Sequence, residues 1–156
     1  TNNGNGALDY TTGCTVNGGT LIAAGSAGMA QSVGASSKVY SLTVTLNAQQ
    51  SAQTLINVTD ADGNEVLTYK PSKVYQTVII CSPSLKSGEK YTVYYGGTHS
   101  GISENGLMNG GGYSEGTKLD TVTLSSAVTS VGASAGIGMG GQGFGGGIPP
   151  GGGKMR

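Results

Sequence analysis

Few residues of this chain could take part in catalysis. His99 is the single histidine among 156 residues, and Ser100 and Glu104 follow it in a segment rich in glycine and serine. Serine, histidine and a carboxylate form a catalytic triad only when they converge in a pocket. The sequence has no nucleophile-elbow motif, so we interpret His99 as a loop residue. We therefore expect no catalytic residue, no cofactor and no enzyme activity.

A short acidic segment, DADGNE, could hold a hard cation. Asp60, Asp62 and Asn64 alternate as the first oxygen ligands of a calcium loop do. The complete EF-hand pattern also needs a glycine at position six and a glutamate at position twelve, and both are missing here. A plain hairpin turn is the favoured interpretation, with these three residues as a weak calcium candidate. One histidine and two cysteines at no recognised spacing do not suggest zinc.

The two cysteines, Cys14 and Cys81, allow three interpretations. They could be small buried hydrophobic residues, or form a disulfide within one chain, or join two chains. The sequence leaves this choice open.

Sugar binding would need aromatic platforms. The chain has no tryptophan and eight tyrosines. Tyr94 and Tyr95 are adjacent, so in a strand they point to opposite faces. Tyr94, Tyr95 and Tyr113 are the glycan-stacking candidates, although strands favour tyrosine in any case.

The elements that must position these residues are short strands. From residue 38 onward, apolar and polar residues alternate, as in KVYSLTVTLN, where Leu42, Val44 and Leu46 share one face and threonine and serine lie opposite. Turns interrupt this pattern every eight to twelve residues, and no segment has helical periodicity. The pattern predicts an all-β, Ig-like antiparallel β-sandwich over residues 38–131.

Turn signals divide these strands. Asp62-Gly63 lies between two strand patterns and predicts a hairpin with a type I′ turn. Residues 32–37, SVGASS, read as a small polar linker. Residues 96–117 read as one long loop, and loops of that length are usually functional or disordered.

The two ends of the sequence differ from the central region. Residues 1–31 contain short β segments separated by glycine corners, which is typical of a β-solenoid rung. A single rung cannot bury its own apolar face, so we expect that earlier rungs were removed or that another chain covers it. Residues 132–156 form a glycine-rich C-terminal tail, which alone would be a flexible coil.

Composition narrows the classes of partner. The eight basic and eight acidic residues cancel, and charged residues make up 10% of the chain, against about 25% in typical soluble domains. Near-zero net charge favours association and does not suit nucleic acid. No apolar run is long enough for a membrane span.

The segment GALDYTTGCTVNGGTLIAAGSAGMAQ closely resembles a motif of bacterial secreted carbohydrate-binding domain-containing proteins. The hairpin VTDADGNEV, the strand VIICSP and the Gly/Met-rich tail extend the resemblance over nearly the whole chain. It implies an extracellular or cell-surface, non-enzymatic protein in which a β-solenoid ends in this motif and a small Ig-like sandwich follows. This chain departs from the family pattern because it lacks the upstream solenoid and has an enlarged 96–117 segment.

We therefore expect a self-associating structural subunit of a surface fibre or matrix. Open β edges and the tail would join copies head to tail, in a filament where the contacts do not close. The assembly candidates are apolar residues of the rung and the tail: Leu8, Tyr10, Leu21, Ile137, Met139, Phe144 and Ile148. The alternative is a carbohydrate-binding module, with glycans as partners.

Overall fold

The computed structural model describes residues 6–133, and this range is all-β with no helix. It contains twelve strands: β1 (Leu21–Gly25), β2 (Ser41–Gln50), β3 (Ile56–Thr59), β4 (Glu65–Tyr69), β5 (Tyr75–Cys81), β6 (Lys90–Tyr95), β7 (Thr98–His99), β8 (Ile102–Glu104), β9 (Leu107–Asn109), β10 (Tyr113–Ser114), β11 (Thr117–Thr123) and β12 (Val128–Gly132).

Two sheets form a β-sandwich. The first sheet has the order β1-β5-β2-β12 and the second has the order β11-β6-β3-β4-β9-β8, while β7 and β10 form a separate pair. All strand pairs are antiparallel except β12 with β2, which is parallel. The prediction of an all-β, sandwich-like fold is confirmed. Neither the solenoid nor the glycine-rich tail is confirmed.

The sandwich core lies between the two sheets. Alternation on β2 buries Leu42, Val44 and Leu46 on one face, as the sequence predicts. The second sheet contributes Ile56 and Val58 of β3 and Val93 of β6 to this core. The complete set of buried residues in this core is Leu42, Val44, Leu46, Ile56, Val58, Leu67, Tyr75, Val78, Ile80, Leu85, Tyr91, Val93, Leu124 and Val131.

The opposite face of the first sheet is also buried. Thr43 and Thr45 of β2 are 5% and 4% exposed, and Ile79 and Cys81 of β5 are fully buried. Residues before β2 cover this face and form a second apolar cluster with Val33, Val39, Ile79 and Cys81 at its centre. The first sheet is therefore an inner layer, which alternation alone did not reveal.

Residues 6–38, called here the N-terminal coil, pack on themselves at an offset of about twenty residues. Gly6 forms a parallel bridge with Ser26, and the amide of Gly34 donates to the carbonyl of Cys14 at 2.6 Å. Residues 6–16 thus lie along residues 26–38. Within the predicted rung, β1 is a strand of the sandwich, and residues 32–37 are part of the coil, not a free linker.

The hairpin between β3 and β4 forms as predicted, but its turn is not type I′. That turn needs positive φ at both central residues, and here only Gly63 has it, at 84°. One carboxylate oxygen of Asp60 accepts the amides of Asp62 and Asn64 at 3.0 and 2.8 Å. This Asx-type turn needs only one left-handed residue, so Asp62 keeps an ordinary φ.

Residues 96–117 are not a long irregular loop. β8 and β9 form a hairpin across Asn105 and Gly106, whose φ angles of 51° and 88° suit a type I′ turn. The hairpin extends the second sheet, because Leu107 of β9 pairs with Tyr69 of β4. Elsewhere in this segment, β7 pairs with β10.

Candidate functional site

Strand β1 is an edge of the first sheet. It pairs with β5 over its whole length, from Leu21 opposite Cys81 to Gly25 opposite Thr77. Within residues 6–133, no second strand pairs with it. Its sequence, LIAAG, contains no charge and no proline, and its register with β5 is free of bulges. Such an edge offers backbone groups to a further strand.

The other edge strands of the two sheets have features that oppose pairing with a further strand. In β11 the register shifts between Lys118 and Asp120, and both charged residues lie on the strand. β8 is three residues long and ends in Glu104. β12 is uncharged but lies against β11 of the other sheet. Bulges, charges and short strands are the usual devices that prevent edge pairing.

The assembly candidates of the N-terminal coil have contacts inside the chain. Leu8 and Leu21 pack against the second apolar cluster and are half-buried. The hydroxyl of Tyr10 donates to the carbonyl of Ser32 at 2.5 Å, and its backbone exchanges two hydrogen bonds with the side chain of Gln31. The other four candidates, Ile137, Met139, Phe144 and Ile148, lie outside the described residues.

The side chain of His99 is 1% exposed and is held from both ring nitrogens. Nδ1 accepts the amide of Gly101 at 2.9 Å, so Nε2 carries the proton and donates to the Glu65 carboxylate at 3.0 Å. The same carboxylate accepts the hydroxyl of Thr68 at 2.7 Å, and the buried Asn57 amide donates to that hydroxyl at 2.7 Å. This relay ties β3 and β4 to β7.

The residues that the sequence suggested beside His99 are placed elsewhere. The hydroxyl of Ser100 accepts the amide of Gly112 at 3.0 Å, and Glu104 is exposed at the end of β8. The partner that the sequence reasoning missed is Glu65, which is 34 positions away. No local signal identifies this pair, since β4 and β7 belong to different sheets and only the tertiary packing brings them together. Both ring nitrogens of His99 are occupied by structural hydrogen bonds.

The glycan-stacking candidates are packed rather than open. The rings of Tyr94 and Tyr113 lie 6.2 Å apart at 53°, and the hydroxyl of Tyr113 donates to the carbonyl of Gly96. Burial, with the neighbouring Tyr94, raises the pKa of Tyr113 to about 12. Tyr95 packs against the sandwich core. The three tyrosines therefore present no common flat face.

The candidate calcium residues serve the turn. Besides the two amides described above, Asp60 accepts the side-chain amide of Asn64 at 3.0 Å. These hydrogen bonds, the Asn64 side chain first, lower the pKa of Asp60. No group of three histidine, cysteine, aspartate or glutamate residues suited to a metal occurs in the part of the chain that the structure describes.

Cys14 and Cys81 lie together in the second apolar cluster. Cys81 is fully buried and Cys14 is half-buried, and both are free thiols in the structure. Burial, with a contribution from nearby Cys14, raises the pKa of Cys81 to about 11. The structure thus brings together two residues that the sequence separates by almost half the chain.

A polar groove of about 410 Å³ lies beside the β8–β9 hairpin. Its walls include Thr20, Glu65, Ser82, Ser84 and Asn109. It contains none of the three candidate tyrosines.

Comparison of the chain with protein-family models, curated proteins and solved structures finds no match. The resemblance to bacterial secreted carbohydrate-binding domain-containing proteins therefore stays a prediction. In the described range, no helix is long and apolar enough to cross a membrane.

Proposed function

We propose that this chain is a non-enzymatic structural subunit of an extracellular fibre or matrix, and that copies of it associate through strand β1. The observation that carries the proposal is the edge of β1. β1 is five residues long, uncharged and free of bulges, and no described strand pairs with its outer side, whereas β11 is interrupted by a bulge and two charges. The isolated bridge between Gly6 and Ser26 lies directly after β1. A strand from a second copy could add to this edge by main-chain hydrogen bonding.

The N-terminal coil supports this proposal. Its offset of about twenty residues, with parallel pairing at Gly6 and Ser26, is the geometry by which successive coils of a β-solenoid stack. Coils of this kind gain stability by covering one another. Leu8, Val16 and Leu21 of the coil are only half-buried, so a further β layer would bury more of their apolar surface.

Charge also supports association. The formal net charge is zero, so copies do not repel one another over long range. Glycan binding, the other function suggested by the sequence, receives less support, because Tyr94 and Tyr113 pack against each other with tilted rings and Tyr95 packs on the core.

The proposal is tested by adding a charge to the edge. Ala23 is in the middle of β1 and shares with Leu21 the face toward the N-terminal coil, where it is half-buried. Ala23→Lys should weaken self-association by about tenfold or more, since a lysine on an edge opposes strand addition. Thr117→Lys places the same charge on edge β11 and serves as the control, because Thr117 is exposed.

Light scattering and electron microscopy over a range of concentrations provide the measurement, with circular dichroism to verify that each variant is folded. We expect oligomers or filaments for the unmodified chain and for Thr117→Lys, and smaller species for Ala23→Lys. A chain that stays monomeric at millimolar concentration would contradict the proposal. Equal assembly of both lysine variants would exclude β1 as the contact.

A further inference from the structure

The second apolar cluster holds both cysteines of the chain, one on each side of a contact between the N-terminal coil and the first sheet. We propose that Cys14 and Cys81 form an intramolecular disulfide that fastens the coil to β5. Cys81 points from the central strand β5 toward the coil, on the same face as Ile79. Cys14 packs onto that cluster from the coil side.

The backbone at both cysteines is fixed. Cys81 lies between Leu21 of β1 and Ser41 of β2, so strands pair with it on both sides. The carbonyl of Cys14 accepts the amide of Gly34 at 2.6 Å, and the next coil contact joins Val16 to Lys38. Both backbones are anchored at the same apolar cluster, and a disulfide requires two cysteines held close together in this way.

The burial of Cys81 favours a bond within one chain over a bond between two chains. Cys81 has no exposed surface, so a cysteine of another copy cannot reach its sulfur while the chain is folded. Cys14 is half-buried and is the only one of the two that meets solvent. The influence of Cys14 on the pKa of Cys81, given above, agrees with a short distance between the thiols.

The reaction needs an oxidant, and oxidised glutathione can supply it. The Cys14 thiolate attacks one sulfur of glutathione disulfide and releases one glutathione thiolate. The Cys81 thiolate then attacks the Cys14 sulfur, forms the Cys14–Cys81 bond and releases the second glutathione. The protein loses two protons and two electrons, and one glutathione disulfide becomes two molecules of glutathione.

The bond would close a loop of about 67 residues, which restricts the unfolded chain far more than the folded one. We expect the oxidised protein to melt roughly 10 °C above the reduced protein. The closing step, in which the Cys81 thiolate attacks the Cys14 mixed disulfide, should become faster from pH 7 to 9, because burial raises the pKa of Cys81 to about 11 and its thiolate fraction increases with pH over that range.

The experiment treats the purified chain with oxidised glutathione and uses three readouts: intact mass, non-reducing peptide mapping and thermal melting. The expected result is a mass loss of about 2 Da, one peptide pair linking Cys14 to Cys81, and a melting point that reductant lowers again. Cys14→Ala is the control, and its melting point should not respond to oxidant.

Two outcomes would overturn the inference. One is a chain that retains both thiols, or holds a stable glutathione adduct at Cys14, after long oxidation at pH 9. The other is a dimer linked through Cys14 on a non-reducing gel. Self-association through β1 does not depend on this bond, so Cys14→Ala should assemble like the unmodified chain. Failure of one proposal therefore leaves the other testable.

Discussion

At the scale of single residues, the most constrained group is the relay from Asn57 through Thr68 and Glu65 to His99. Each hydrogen bond in it has a defined direction, because Nδ1 of His99 accepts from Gly101 and Nε2 must then donate. Asn57 and Thr68 are fully buried, whereas Glu65 is at the exposed end of β4. Removing one member leaves its buried neighbours without partners, and their desolvation is the main cost. The relay therefore acts as a structural tie between strands.

The first prediction compares two glutamates. Glu65→Gln should destabilise the fold by about 1 kcal/mol, because one neutral amide oxygen replaces the carboxylate that accepts from both His99 and Thr68. Glu104→Gln should change stability by less than about 0.5 kcal/mol, since Glu104 is exposed. Urea denaturation measures both values. An effect at Glu104 equal to that at Glu65 would contradict the assignment of Glu65 as the histidine partner.

At the scale of elements, two hairpin turns contain glycines in similar conformations but different surroundings. Gly63 has φ of 84° and a Cβ added there would contact nothing within 4 Å. Gly106 has φ of 88°, and an added Cβ would lie 2.5 Å from the ring of Tyr69. The carbonyl of Gly106 also accepts the amide of Lys70 at 2.7 Å. The second glycine therefore supports the docking of the β8–β9 hairpin on β4.

The second prediction uses this pair. Gly63→Ala should cost about 1 kcal/mol, the strain of a left-handed alanine. Gly106→Ala should cost about 1–3 kcal/mol more, because the new methyl group clashes with Tyr69 and moves the hairpin. Chemical denaturation gives both values, and amide exchange at Lys70 reports the hairpin. Equal costs would show that the hairpin is not fixed at this contact.

The sequence predicts the strands but not the layers. The faces of β2 and β3 follow from alternation at Leu42, Val44, Ile56 and Val58, because strand periodicity is a local property. The burial of Thr43 and its neighbours on the opposite face depends on the N-terminal coil, which docks there from another part of the chain.

Turn geometry was also predictable only in part. The Asp62-Gly63 signal correctly gave a hairpin, but Asp60 provides a side-chain acceptor that changes the turn type. Asn105-Gly106, a stronger type I′ signal, lies within the segment interpreted as a loop. The partners His99 and Glu65 lie on different hairpins, so no spacing rule joins them.

At the scale of the whole molecule, the first sheet is enclosed by the second sheet on one side and by the N-terminal coil on the other. Groups that ionise inside this structure hold their protons more tightly than in the unfolded chain. The pKa of Cys81 rises from 9.0 to about 11 and that of Tyr113 from 10.0 to about 12. Burial also raises the pKa of Tyr75.

The third prediction concerns alkaline pH in the reduced protein. Well below pH 9, Cys81 and Tyr113 are protonated in both the folded and the unfolded chain, so the stability that their raised pKa values contribute is fully present. Above it, the unfolded chain releases the Cys81 proton first, and stability falls from pH 9 to 11. The melting temperature should drop by roughly 5 °C over this range.

Two variants separate the contributions of Cys81 and Tyr113 to this loss of stability. Cys81→Ala should lose the part of the decline between pH 9 and 11, and Tyr113→Phe the part between pH 10 and 12. Differential scanning fluorimetry with added reductant measures these curves. A decline between pH 9 and 11 that is the same with and without Cys81 would contradict the prediction.

The parallel pairing of β12 with β2 sets the order in which the protein can be completed during synthesis. Val131 pairs with Val44 and Gly132 with Thr45, so the last described strand pairs with residues that lie 87 positions earlier in the chain. At ribosomal rates of about 5–20 residues per second, β12 is synthesised on the order of 10 seconds after β2. During that interval the edge of β2 that later pairs with β12 is open to other nascent chains. Folding yield should therefore depend on how fast translation passes from residue 45 to residue 132.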